Sequence, residues 1–180
     1  MTRSQLEHII RAACQIADDN ELVIVGSQAI LGAFPEAPES LCVSVEADVY
    51  PRSRPERADL IDGTIGEGSP FHETFGYYAQ GVGVRTAVLA PGWEVRLIAV
   101  SNPNTRGAIG WCLDPRDIVL SKLVAGREKD LRFAREALRH GLVLEAELLA
   151  LLADLPVEDA VMSLVRGRIG RLALEARPLP

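Results

Sequence analysis

The stretch "SVEADVYP", residues 44 to 51, sets Glu46 and Asp48 two positions apart in a run otherwise apolar enough for a buried strand. Side chains at i and i+2 share one face of a strand. Two carboxylates that close, and partly buried, raise each other's pKa unless a cation lies between them. Either they form the solvated face of an edge strand, or they hold a metal ion. Two oxygen donors at this spacing suit Mg2+, a hard ion that binds one or two carboxylates plus substrate phosphates. Val45, Ala47 and Val49 then pack on one face, and Ser44, Glu46 and Asp48 line the open one.

Upstream, "VIVGSQA" runs a strand into Gly26 and Ser27 at the start of a helix. Backbone N–H groups at such a start bind anions, and Ser27 Oγ can add a hydrogen bond to a phosphate oxygen. The plain alternative is Ser27 as an ordinary N-cap. Downstream, "LSKLVAGREKDLRFA" carries Lys122, Arg127, Lys129 and Asp130. On one continuous helix the spacing returns Lys122, Lys129 and Asp130 toward a common face. A lysine there offers a compact positive charge to an anionic leaving group, whereas a set of surface ion pairs is the competing explanation.

Other residues invite chemistry less strongly. His72 in "SPFHETFGYY" reads as a packed histidine beside aromatics, with general-base work the sharper alternative. Of Tyr77 and Tyr78, which alternate faces, one belongs to the core and the other could stack on a base. Trp93 and Arg96 read as a structural pair at a turn. Arg166, Arg168 and Arg171 in "RGRIGR" read as a solvated helix face, with an RNA contact as the alternative.

The elements that must position these groups follow from periodicity. Residues 4–18 form an amphipathic helix. "ELVIV" is a strand, "GSQAILGAF" a helix ended by Pro35, and "LCVSVEADVY" a strand ended by Pro51. A short helix is expected around "RADLIDGTIG". "TFGYYAQGVGV", "RTAVLA" and "WEVRLIAV" read as strands of an antiparallel meander, and "SNPNTRGAIGWC" as loop. From Asp114 the chain turns helical: one or two helices up to Gly141, then two more divided by Pro156.

The 180 residues suit one domain with a helical appendage, and 48% hydrophobic with 24% charged content is ordinary for a globular chain. No apolar run approaches the roughly 20 residues that span a bilayer, and no signal-peptide pattern opens the chain, so no membrane partner is expected. Cys14, Cys42 and Cys112 lack metal-ligand spacing and are odd in number, which points to a reducing, cytoplasmic setting. A net charge of −6 gives no global attraction to nucleic acid.

The order of these features resembles the DNA polymerase β-like nucleotidyltransferase superfamily. "VGSQAIL", "SVEADVYP", "GSPFHETFGYYAQGV", "PGWEVRL" and "GWCLDPRDIVLSKLVAGREKD" are similar to the DUF6036 group of bacterial nucleotidyltransferases, related to AbiEii and MenT type toxins. The similarity spans roughly residues 20 to 140. It implies an α+β fold: a small mixed sheet flanked by helices over 1–113, then a helical segment over 114–180 that packs on the core and completes the site. It implies that Gly26 and Ser27 hold the β- and γ-phosphates of a nucleoside triphosphate (NTP), and that Glu46 and Asp48 coordinate Mg2+. Lys122 matches a lysine that contacts the triphosphate, Asp130 the acidic position after it, and Arg127 and Lys129 lie between them to assist. The catalytic set so implied is Glu46, Asp48, Lys122 and Asp130.

The chain departs from the family pattern in carrying Glu46 where Asp is common. It also lacks an unmistakable third carboxylate, for which Glu94 and Glu73 are candidates. The implied activity is Mg2+-dependent transfer of a nucleoside monophosphate to an acceptor hydroxyl. For toxin relatives the acceptor is a tRNA 3′ end or other RNA, and an antitoxin protein is the partner. Nucleotidylation of a small, antibiotic-type molecule is the alternative enzyme, and a non-catalytic nucleotide-binding module the alternative from another class.

Overall fold

The computed structural model describes residues 1–176. The chain divides into two compact units, Met1–Ala87 with Arg96–Asp114, and Val88–Val95 with the residues from Pro115 onward.

The first unit opens with α1 (Arg3–Ala17), started by a capping box in which Thr2 and Gln5 satisfy each other's backbone N–H groups. Asp18 ends it in the left-handed conformation at φ 50°. Of the apolar stripe expected for this helix, Leu6, Ile9, Ile10, Ala13 and Ala17 are fully buried and Ile16 is half-buried. β1 (Glu21–Ile24) follows, then a 3-10 turn (Ser27–Ala29) and the short α2 (Ile30–Ala33). β2 (Glu46–Pro51), α3 (Ala58–Ile65), α4 (Pro70–Phe75) and β3 (Tyr78–Gly81) come next. After a single turn, α5 (Trp93–Arg96), of which only Arg96 falls in this unit, come β4 (Ile98–Val100) and β5 (Ile109–Cys112).

The five strands form one mixed sheet in the order β3-β2-β1-β5-β4. β1 runs antiparallel to β2 and parallel to β5; β2 and β3 are parallel, and β4 and β5 antiparallel. Gly110 in β5 lets α1 approach, since a Cβ there would collide with the Ile10 side chain. The fold is α+β, a mixed sheet flanked by helices and followed by helices, consistent with a nucleotidyltransferase-like fold.

Several local expectations are corrected. β2 begins only at Glu46, because Ser44 Oγ accepts the Glu46 N–H and draws that backbone into a local turn. The antiparallel meander does not form. Thr74 and Phe75 finish α4, β3 pairs parallel to β2, "RTAVLA" is no strand, and Trp93–Arg96 is a helical turn. The segment read as loop supplies β5, which lies between β1 and β4. A four-residue strand containing glycine has little local signal; its pairing partners define it.

In the second unit α6 (Pro115–Ala125), α7 (Glu128–Arg139), α8 (Glu145–Leu152) and α9 (Asp159–Glu175) pack against one another. Gly126, at φ 67°, divides α6 from α7. The Ser121 hydroxyl accepts the Val88 N–H, tying the Val88–Val95 segment to α6. Among the described residues no helix is long and apolar enough to cross a membrane.

Candidate active site

β2 is not an edge strand. It lies between β1 and β3, so the solvated-edge explanation for Glu46 and Asp48 fails. Ala47 and Val49 are fully buried while Glu46 and Asp48 are half-buried, so the carboxylates share the open face of an interior strand. Val45 precedes the strand and is 45% exposed, contrary to the packing expected of it. The register sets Glu46 opposite Tyr78 and Asp48 opposite Gln80, which puts all four side chains on one face.

The Gly26–Ser27 turn emerges from β1 beside this pair. Val25 N–H donates to the Asp48 carbonyl at 3.0 Å, which carries the chain directly over the Asp48 side chain. A Cβ on Gly26 would fall inside 3.0 Å of Asp48 Oδ2, a separation real Cβ atoms do not show. Glycine is therefore required here by close approach, its φ of −79° being open to any residue. The expected N-cap is corrected: Gly26 occupies the cap position, Ser27 begins the 3-10 turn, and no side chain caps it. Next to it, Gln28 is fully buried, and neither amide atom has a hydrogen-bond partner among the described residues. Buried amides are nearly always paired, and this turn carries an exception.

Tyr78 is buried, and its hydroxyl donates to Glu46 Oε2 at 3.4 Å. Burial above all, then the negative charges of Glu46, Glu67 and Asp48, push the phenol up to about 12. It is a neutral donor at any physiological pH. The His72 ring packs against Tyr78 at 4.7 Å between centroids. His72 Nδ1 accepts the Gly68 N–H at 3.0 Å, so that nitrogen is spent on the loop, in keeping with a packed histidine. Tyr77 is also buried and its hydroxyl bonds His8 Nδ1 at 2.7 Å.

Neither candidate for a third carboxylate sits on a strand. Glu73 lies on α4 and Glu94 on α5, both exposed. The strand beside the pair offers Gln80 opposite Asp48. Among the described residues no group of three or more His, Cys, Asp or Glu side chains could hold a metal ion by itself. Two carboxylates with a glycine backbone in contact suit an ion that takes its remaining ligands from water and substrate phosphates, which is the habit of Mg2+.

The second unit holds the basic cluster. Asp130 is fully buried, and it accepts Lys122 Nζ at 3.0 Å and Arg127 Nε at 2.6 Å. Burial raises a carboxyl, but here the hydrogen bonds and charges of Arg127 and Lys122 outweigh it and hold Asp130 below the usual carboxylate range. Lys122 also lies over the Phe133 ring at 4.9 Å. The single helix face expected for Lys122, Lys129 and Asp130 is corrected. Gly126 breaks the helix, so Lys122 and Asp130 meet from two helices while Lys129 points to solvent. Arg127 occupies the N-cap position of α7.

Sequence reasoning missed Tyr78 as the partner of Glu46, the unpaired Gln28, and Arg168, whose guanidinium donates to the Leu123 carbonyl at the end of α6. Tyr78 and Arg168 each had a visible signal, in the paired tyrosines and the arginine run, and Gln28 had none.

No curated protein and no solved structure matches the chain. The family described as "Nucleotidyltransferase of unknown function (DUF6036)" matches residues 4–155, most of the chain, from α1 through α8. An interior carboxylate pair seated on a Gly-Ser turn, within a mixed five-stranded sheet, therefore belongs to a member of the DUF6036 nucleotidyltransferase family.

Proposed function

We propose that the protein is a Mg2+-dependent nucleotidyltransferase that moves a nucleoside monophosphate from an NTP to an acceptor hydroxyl. The observation that carries this reading is the Asp48 carboxylate against the Gly26 backbone, with Glu46 on the same open face of an interior strand. Glu46 and Asp48 would hold Mg2+, and the bound ion would neutralise charge on the triphosphate. Gly26 and Ser27 bind its phosphate oxygens through backbone N–H groups and the Ser27 hydroxyl. Lys122 supplies a further positive charge to the triphosphate, and Asp130, itself held by Arg127, fixes its ammonium. Lys129, exposed on α7, assists as a surface cation.

The acceptor oxygen forms the new bond to the α-phosphorus and gives its proton to water, as the bond to the bridging β-phosphate oxygen breaks and pyrophosphate leaves with the electron pair. Catalysis is then chiefly positional and electrostatic. The acceptor we propose is an RNA hydroxyl, a tRNA 3′ end first among them, with an antitoxin protein as partner.

The test is incubation with each labelled NTP, Mg2+, and either total RNA or a panel of small hydroxyl compounds. Wild type should label RNA, and Glu46→Gln and Asp48→Asn should both lose the transfer. Labelling of small compounds alone would replace the RNA acceptor. Binding of triphosphate with no transfer to any acceptor would make the protein a binding module and overturn the enzyme reading.

A further inference from the structure

α9 lies outside the part of the chain that matches the family, yet it reaches into the turn that carries Lys122 and Asp130. Arg168, in the middle of α9, donates its guanidinium to the Leu123 carbonyl, one residue after Lys122. That carbonyl belongs to the last turn of α6, where backbone oxygens have no partner within the helix. The guanidinium also fills the space over Gly126, so that a Cβ there would strike both terminal nitrogens of Arg168. Gly126 holds φ 67°, a conformation that favours glycine. Its N–H closes the end of α6 on the Lys122 carbonyl at 2.8 Å, and Asp130 N–H bonds the Arg127 carbonyl at 2.9 Å. Arg168 is thus the side chain from outside that seals the turn between the two helices, at the point where Lys122 and Asp130 are brought into contact.

A solvated helix face does not describe this residue. Arg166 and Arg171, its neighbours in "RGRIGR", are exposed, but Arg168 is turned inward and is half-buried. The planar guanidinium matters because it covers Gly126 and presents donors to a carbonyl at once, which a lysine ammonium does only in part.

We infer that Arg168 is a positioning residue: it locks the α6–α7 turn and thereby holds Lys122 in the orientation that binds the triphosphate. This rests on the reading of Lys122 given under the proposed function. Two measurements on the full chain separate the two claims. Amide hydrogen exchange at Gly126 and Asp130 reports the turn itself, without any substrate. Affinity for a nonhydrolysable NTP analogue with Mg2+, with KM and kcat measured where transfer occurs, reports its consequence.

In Arg168→Gln, exchange at Gly126 should accelerate at least tenfold and the analogue's Kd should rise about tenfold. KM should rise with it while kcat changes less than threefold. Arg168→Lys should recover part of both effects, and Arg166→Gln, on the exposed side of the same helix, should change neither. Unaltered exchange in Arg168→Gln overturns the lock. Faster exchange with unaltered analogue affinity makes Arg168 purely structural and overturns its part in binding. If the wild type binds no triphosphate, the assignment of Lys122 fails and the proposed role of Arg168 in binding falls with it, while accelerated exchange would still establish the turn lock. Should Arg168→Gln fail to fold, Arg168→Lys carries both measurements, and no change in either overturns the proposal.

Discussion

Lys122 and Asp130 meet across a helix break: the ammonium of α6 donates at 3.0 Å to a carboxylate of α7 that is 0% exposed. Asp130 binds Arg127 as well, through its other oxygen. A buried carboxylate with two cationic donors orders the lysine, and removal of the carboxylate leaves a cation that is only 13% exposed without its counter-charge.

Asp130→Asn should therefore destabilise the protein by about 3 kcal/mol near neutral pH. The pH dependence has a definite sign. The folded-state pKa lies below the ordinary 3.8, so the contribution is complete above that value and is lost as pH falls through the folded pKa. The stability gap between wild type and Asp130→Asn should hold steady from pH 6 to about pH 4 and narrow from about pH 4 to about pH 2, as followed by urea midpoints. A gap constant over that range would show that the carboxylate is not held ionised by its partners.

Gly26→Ala should cost far more activity than stability. The added carbon meets Asp48 Oδ2, so the carboxylate must move, whereas φ at this position suits alanine. Displacement of a reacting group by about 1 Å costs roughly 10²-fold in rate. The melting temperature and the rate of label transfer, measured on one preparation, would separate the effects; a transfer rate near wild type would mean that Asp48 has room to shift harmlessly.

Tyr78→Phe removes one hydroxyl and leaves the ring packed on His72. Glu46 then loses a neutral donor that orients it. Groups that orient a metal-binding carboxylate typically contribute 10- to 100-fold in metal affinity, so Mn2+ titration of the variant in the presence of NTP should show weaker binding within that range. Tyr77→Phe, on a hydroxyl that bonds His8, should leave it unaltered.

Gln28→Met replaces an unpaired buried amide by an apolar chain of similar length. The penalty of a buried unsatisfied amide is about 1–3 kcal/mol, so the variant should melt at a higher temperature than wild type. A lower melting temperature would show that the amide is satisfied in the folded protein.

The sequence alone picked out the residues that could do chemistry and the helices with clear apolar spacing. Carboxylates at i and i+2 share a strand face by geometry, apolar spacing specifies α1 and α6–α9, and a Gly-Ser pair after an apolar run marks the turn beside the pair. These are local properties, set within a few residues. What only the tertiary structure decided is non-local. Glu46 faces Tyr78 because β2 and β3 align in parallel, across 32 residues of chain. β5 exists because β1 and β4 flank it, and its own four residues carry little strand signal. The contact of Lys122 with Asp130 depends on Gly126 turning the chain at positive φ and on Arg168 arriving from α9 to seal that turn. Strand pairing and helix docking are selected by burial and hydrogen bonding between distant segments, so no window of sequence displays them.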